Sequence, residues 1–124
     1  MKYSYLTLLI SLLMIIGCSS SESISSIPNE KYGLTEDQYV YVKSETVPGG
    51  KLDFENQFSN QQLVLIGNVA YNKKDAAIYT WALAIKKLGV KNANDAIELY
   101  ETLQDIKLRD TRKKAMQNAF NKKD

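Results

Sequence analysis

No histidine occurs anywhere in the 124-residue chain, and cysteine, tryptophan and proline are nearly as scarce, with one, one and two copies. Each shortage excludes chemistry. A Ser-His-Asp or Cys-His nucleophile needs an imidazole base. A structural zinc site needs several Cys or His ligands. An intramolecular disulfide needs a second thiol. Charge of one sign is also lacking: the net formal charge is +2, so no field across the whole molecule argues for nucleic acid. No Gly-rich phosphate loop is present. The length allows one domain at most, and no cofactor or metal is expected.

What is present begins with an apolar run, Leu6–Ile16, interrupted only by Thr7 and Ser11 and preceded by Lys2. As a helix it reaches roughly half of a ~30 Å hydrocarbon core, too short for a stable span. A charged start, a short apolar centre and a small residue at the end describe a secretory signal. Its last four residues, Ile15-Ile16-Gly17-Cys18, resemble a bacterial lipobox, the cleavage site of lipoprotein signal peptidase. The resemblance implies cleavage between Gly17 and Cys18, a diacylglycerol on the Cys18 thiol and acylation of the new amino group. It also implies that Ser19, in place of aspartate, sends the protein to the outer membrane of a Gram-negative host. Each buried CH₂ contributes ~0.8 kcal/mol and stable anchoring takes at least two chains, which a multiply acylated Cys18 supplies.

Residues 1–17 thus read as a lipoprotein signal peptide, 18–31 as the acylated cysteine and a serine-rich tether, and 32–124 as a single small globular domain. Folding is expected to start between Glu30 and Thr35. The tether composition cannot bury enough surface to offset the entropy of ordering it.

Within the domain, Gln38–Val47 alternates, with Tyr39, Tyr41 and Lys43 on one side and Val40 and Val42 on the other, and predicts a strand. Val47-Pro48-Gly49-Gly50 ends it as a turn. Leu52–Phe58 suits a strand or a short helix. Gln62–Tyr71 leans towards a buried strand, with a helix as the alternative. Asn72 caps a helix carrying Ile78, Trp81, Ala82, Ile85 and Leu88 inward, and Gly89 closes it. Trp81 therefore reads as core. A second helix starts at Asn92 or Asn94 and turns Ala96, Ile97, Tyr100, Leu103 and Ile106 inward. It either continues to about Lys122 or breaks near Asp110-Thr111. Asn94–Glu101 resembles the second helix of a tetratricopeptide repeat, and Gly67–Tyr71 the start of one, but neither has its partner and an array needs about three repeats. The fold class is α+β, a short antiparallel sheet packed against two C-terminal helices, with a mainly α domain as the alternative.

Three groups are candidate sites. The acidic row Glu98, Glu101 and Asp105 reads as a solvated helix face, against a cation or carboxylate-hydrolysis site. Arg109, Arg112, Lys113 and Lys114 form a basic stretch for anionic lipid or an acidic partner. Tyr39 and Tyr41, sharing a strand face, form a candidate contact surface. No catalytic residue is assigned. The expectation is a non-enzymatic envelope lipoprotein that binds or positions a protein partner in assembly, inhibition, immunity or exclusion; the alternative is a small carboxylate-dependent hydrolase.

Overall fold

A computed structural model describes residues 30–58 and 60–123. The signal segment, Gly17, Cys18 and the serine-rich stretch up to residue 29 lie outside the described residues. Glu30 and Lys31, expected at the end of the tether, belong to a 3-10 turn, Glu30–Tyr32. Four helices and one hairpin follow: α1 (Glu36–Glu45), a 3-10 turn (Glu55–Phe58), β1 (Leu63–Ile66), β2 (Val69–Asn72), α2 (Lys73–Leu88), α3 (Ala93–Gln104) and α4 (Asp110–Asn121). The fold is α+β, with a two-stranded antiparallel sheet drawn wholly from Leu63–Asn72 and none of it from Gln38–Val47.

The strand expected over Gln38–Val47 is helix α1. Thr35 explains the correction: its hydroxyl accepts from the Gln38 N–H at 3.2 Å, while the Gln38 side chain accepts from the Thr35 N–H at 2.9 Å. This reciprocal capping box, followed by Glu36 and Asp37 in the first turn, favours helix entry by satisfying orphan donors and complementing the dipole. The alternating β-formers that suggested a strand are divided by the helix. Only Val42 is fully buried, and Val40 remains 56% exposed.

The single buried strand expected over Gln62–Tyr71 is instead an antiparallel hairpin, pairing Val64 with Tyr71 and Ile66 with Val69. Its two-residue turn is Gly67-Asn68, with Gly67 at φ 60°. A positive φ at the first central position alone matches the type II′ turn that suits strand twist. One face carries Val64 and Tyr71 into the core, while Leu63 and Leu65 stay exposed on the other. Leu52–Phe58 resolves into a turn and the second 3-10 helix.

Helices α2 and α3 start by the same device. Asn72 Oδ1 accepts from the Asp75 N–H at 2.8 Å and its amide donates back to the Asp75 carboxylate at 3.1 Å. Asn92 repeats this with Asp95 at 2.9 and 3.0 Å. Ile78, Trp81, Ala82 and Ile85 line the buried side of α2, and each large side chain contributes about 1.5–3 kcal/mol on burial. Gly89 ends α2, its N–H donating to the carbonyls of Ile85 and Lys86.

The long second helix breaks, and a separate final helix starts at Asp110, where the alternative placed the break. Asp105 adopts the left-handed conformation, φ 51° and ψ 49°, as the C-cap of α3, and α4 begins at Asp110 after Arg109, which offers no side-chain cap. Thr111 is therefore not a cap. Ile106, expected inward, is 41% exposed, and Leu108 is buried in its place. Asp105 and Arg109 do not share a helix. Contacts Arg112–Asp75 and Lys86–Phe120 set α4 parallel to α2, with α3 antiparallel to both. Lys86 Nζ donates to the carbonyls of Phe120 and Lys122 at the end of α4, satisfying acceptors that no helix bond reaches.

Candidate functional site

Where α2 begins, the segment Thr46–Asn56 arches over the helices and leaves a cleft of about 460 Å³. That is within the roughly 300–1,000 Å³ typical of ligand pockets. Thr46 sets the arch. Its hydroxyl accepts from the Trp81 indole N–H at 3.0 Å, and its carbonyl accepts from the Gln104 amide at 2.6 Å. Both bonds tie the loop to the helix layer, across sequence separations of 35 and 58 residues. Trp81 packs edge-on against Tyr100, ring centroids 4.9 Å apart. With Ile78, Leu52 and Phe54 they form an apolar lining, and Val47 and Pro48 continue it onto the loop.

Charge of both signs surrounds this lining. Asp53 and Glu55 stand on the loop; Lys73 and Lys74 open α2; Arg112 reaches across from α4. The Asp53 carboxylate accepts from the Gly49 N–H at 2.8 Å and from Asn56 at 3.2 Å, so it braces the loop. Arg112 lies 3.8 Å from the Asp75 carboxylate. Lys73 and Lys74 make no ion pair among the described residues. Burial pushes the Tyr100 hydroxyl above its ordinary pKa; Arg112 opposes that shift, and Glu55 and Asp53 add to it.

Of the residues singled out in the sequence, Arg112 and Trp81 line the cleft. Arg109 and Lys114 are exposed and Lys113 half-buried away from it, so the four basic residues do not converge on the cleft. Tyr39 packs partly against the core and Tyr41 is 38% exposed. Two residues apart on a helix, they point to different sides and share no face.

The acidic row sits over a shallower depression of about 300 Å³, and its members have structural partners. Glu98 pairs with Lys31, and Glu101 accepts from the Leu108 N–H at 2.7 Å. Asp105 is the α3 C-cap. Among the described residues, no three potential ligands gather as a metal ion would require, and no helix is long and apolar enough to cross a membrane.

Sequence reasoning missed the cleft, because its walls come from residues 46–56, 73–81 and 100–112, which no local spacing links. The one signal was the Lys73-Lys74 pair immediately after a helix cap, where cations oppose the dipole. Set against known proteins, the chain matches no family model, no curated protein and no solved structure.

Proposed function

We propose that this chain is a small envelope lipoprotein, anchored through acylated Cys18 and acting without catalysis by binding a protein partner at the cleft beside α2. The anchor rests on the lipobox-like Ile15-Ile16-Gly17-Cys18. The observation that carries the binding role is the cleft itself, where exposed Val47 and Pro48 and half-buried Phe54 and Tyr100 stand among charges of both signs, Lys73 and Lys74 making no ion pair among the described residues. Whether the role is assembly, inhibition, immunity or exclusion follows from the partner's identity.

The test uses intact cells with a photo-cross-linking residue in place of Val47, which is 46% exposed and lines the cleft. One defined protein should be captured from Val47 and not from Lys114 on α4. Capture from Lys114 alone, or from neither, rejects the cleft as the partner site. For the anchor, Cys18→Ala should abolish acylation and leave precursor or released domain. Full processing with unchanged membrane association would defeat the lipoprotein reading.

A second reading, a carboxylate-dependent hydrolase, is favoured by one observation: Asp53 and Glu55 line the same cleft. Against it, one oxygen of Asp53 already accepts two hydrogen bonds within its own loop. If Glu55→Gln leaves partner capture and cellular function intact, Glu55 is not a catalytic acid or base, and this second reading falls.

A further inference from the structure

We propose that the open edge of β1 pairs antiparallel with the β1 edge of a second copy of this chain, the two copies related by a two-fold axis through Val64. The proposal stands on the hairpin and is independent of the cleft.

Strand β1 has β2 on one side and no strand on the other. Ile66 and Val69 close the two-residue turn, and so form a hydrogen-bonded pair. Alternation then makes Leu65–Ala70 and Leu63–Asn72 the pairs that exchange no hydrogen bond across the hairpin. The N–H and C=O groups of Leu63 and Leu65 therefore point outwards, away from β2. Among the described residues no further backbone hydrogen bond reaches them. Their side chains are open as well, 67% and 76% exposed.

Such an edge is a template for another strand, and proteins ordinarily blunt it with charge, proline or a bulge. This edge has none of the three. No residue between Glu55 and Lys73 is charged or a proline, and β1 pairs with β2 in an unbroken register. Only its length, four residues, limits what it can template.

Self-complementarity selects the occupant. With the axis through Val64, Leu63 of each copy faces Leu65 of the other. These are the two residues whose backbone groups point outwards, so each facing pair exchanges both N–H···O bonds. The leucines of both copies fall on one face, where each covers apolar surface of its neighbour. In a two-fold contact a charged edge meets its own charge, and this edge carries none to repel its copy. Pairing of this length falls short of the ~1,200 Å² of a stable interface, so the dimer depends on concentration. Anchoring of both copies in one bilayer, proposed above, raises the effective concentration.

The experiment is sedimentation equilibrium of the full-length chain in a density-matched non-ionic detergent, at concentrations up to ~1 mM. The chain should pass from monomer to dimer and no further. The variant carrying Leu63→Lys and Leu65→Lys sets ammonium groups against each other in both facing pairs, and should dimerise at least about tenfold more weakly. The variant carrying Leu63→Lys and Leu65→Glu sets opposite charges against each other only in the register centred on Val64, and should return to within about threefold of the parent. Both leucines are exposed, so circular dichroism and melting temperature should be retained in both variants. A chain monomeric at every concentration, a dimer that the double-lysine variant keeps, or a Lys/Glu variant no tighter than the double-lysine one each overturns the proposal. So do assemblies larger than a dimer, and so does a monomer that uses Leu63 and Leu65 to bind lipid vesicles.

Discussion

Gly33 and Gly89 approach each other so closely that each excludes a side chain on the other. Gly33 has φ 74° and Gly89 φ 131°, and a Cβ added at either would stand 2.9 Å from the other's carbonyl oxygen. Gly89→Ala therefore meets two penalties. Holding an L-residue in that backbone region costs about 1–3 kcal/mol, and forcing an extra carbon into the contact costs about 1–3 kcal/mol more. The sum, about 2–6 kcal/mol, is a large share of the ~5–15 kcal/mol that holds a domain folded. Gly33→Ala should cost about 2–5 kcal/mol by the same reasoning. The steric part is one shared gap, so once the first methyl has opened it the second adds mainly its backbone term. The double variant should fall short of additivity by ~1–2 kcal/mol, within the range of coupled neighbours. Urea denaturation of the full chain in detergent, followed by circular dichroism and Trp81 fluorescence, measures all three variants. A single substitution costing under about 0.5 kcal/mol, or strict additivity, would refute the contact as the reason for these glycines.

Thr46→Val keeps the side-chain shape but strips the Trp81 indole N–H of its acceptor; denaturation should show a loss of about 1–3 kcal/mol, and intact stability would mean the bond is dispensable. Asn72→Ala and Asn92→Ala should each cost ~1 kcal/mol as lost N-caps, adding within about 0.5 kcal/mol because the caps share no partner; marked coupling in thermal melts would contradict that. At alkaline pH, Tyr100 and Tyr79 resist ionisation, chiefly because burial disfavours the phenolate. Their folded pKa values lie above the unfolded ones, so the unfolded chain releases protons first. Stability should be level below pH ~10 and fall as pH rises beyond it. Tyr100→Phe should flatten that decline in a pH series of melts, and an unchanged slope would remove Tyr100 as a cause.

Local chemistry decided which parts of the fold were legible. Asn72 with Asp75, the stripe from Ile78 to Ile85, and Gly89 act within a few residues of one another, so the sequence reveals α2 from end to end. For α3 the sequence offers Asn92 or Asn94 as cap, and Asn92 takes the role by accepting from the Asp95 N–H. Residues 38–47 carry two local signals of opposite meaning. Alternating tyrosines and valines suggested a strand, while Thr35 and Gln38 already held a capping box. Gln62–Tyr71 differs from one continuous strand for a related reason: Gly67-Asn68 is the turn between two paired strands.

By itself, the sequence determined the absence of imidazole, the single thiol and its lipobox-like setting, and the cap of α2, and it narrowed the cap of α3 to two asparagines. All of these depend on residue identity or on neighbours a few positions apart. Only the tertiary structure decided the cleft. Thr46, Trp81, Gln104 and Arg112 meet there because loop and helices pack together, and Lys73 and Lys74 come to share a cleft with Phe54 only in the folded chain. Tertiary contacts also decided that Arg112, of the four basic residues in its stretch, turns inward to Asp75. A local pattern states which groups a chain owns. Which of them share a solvent-poor space depends on contacts between residues dozens of positions apart, and no periodicity encodes those.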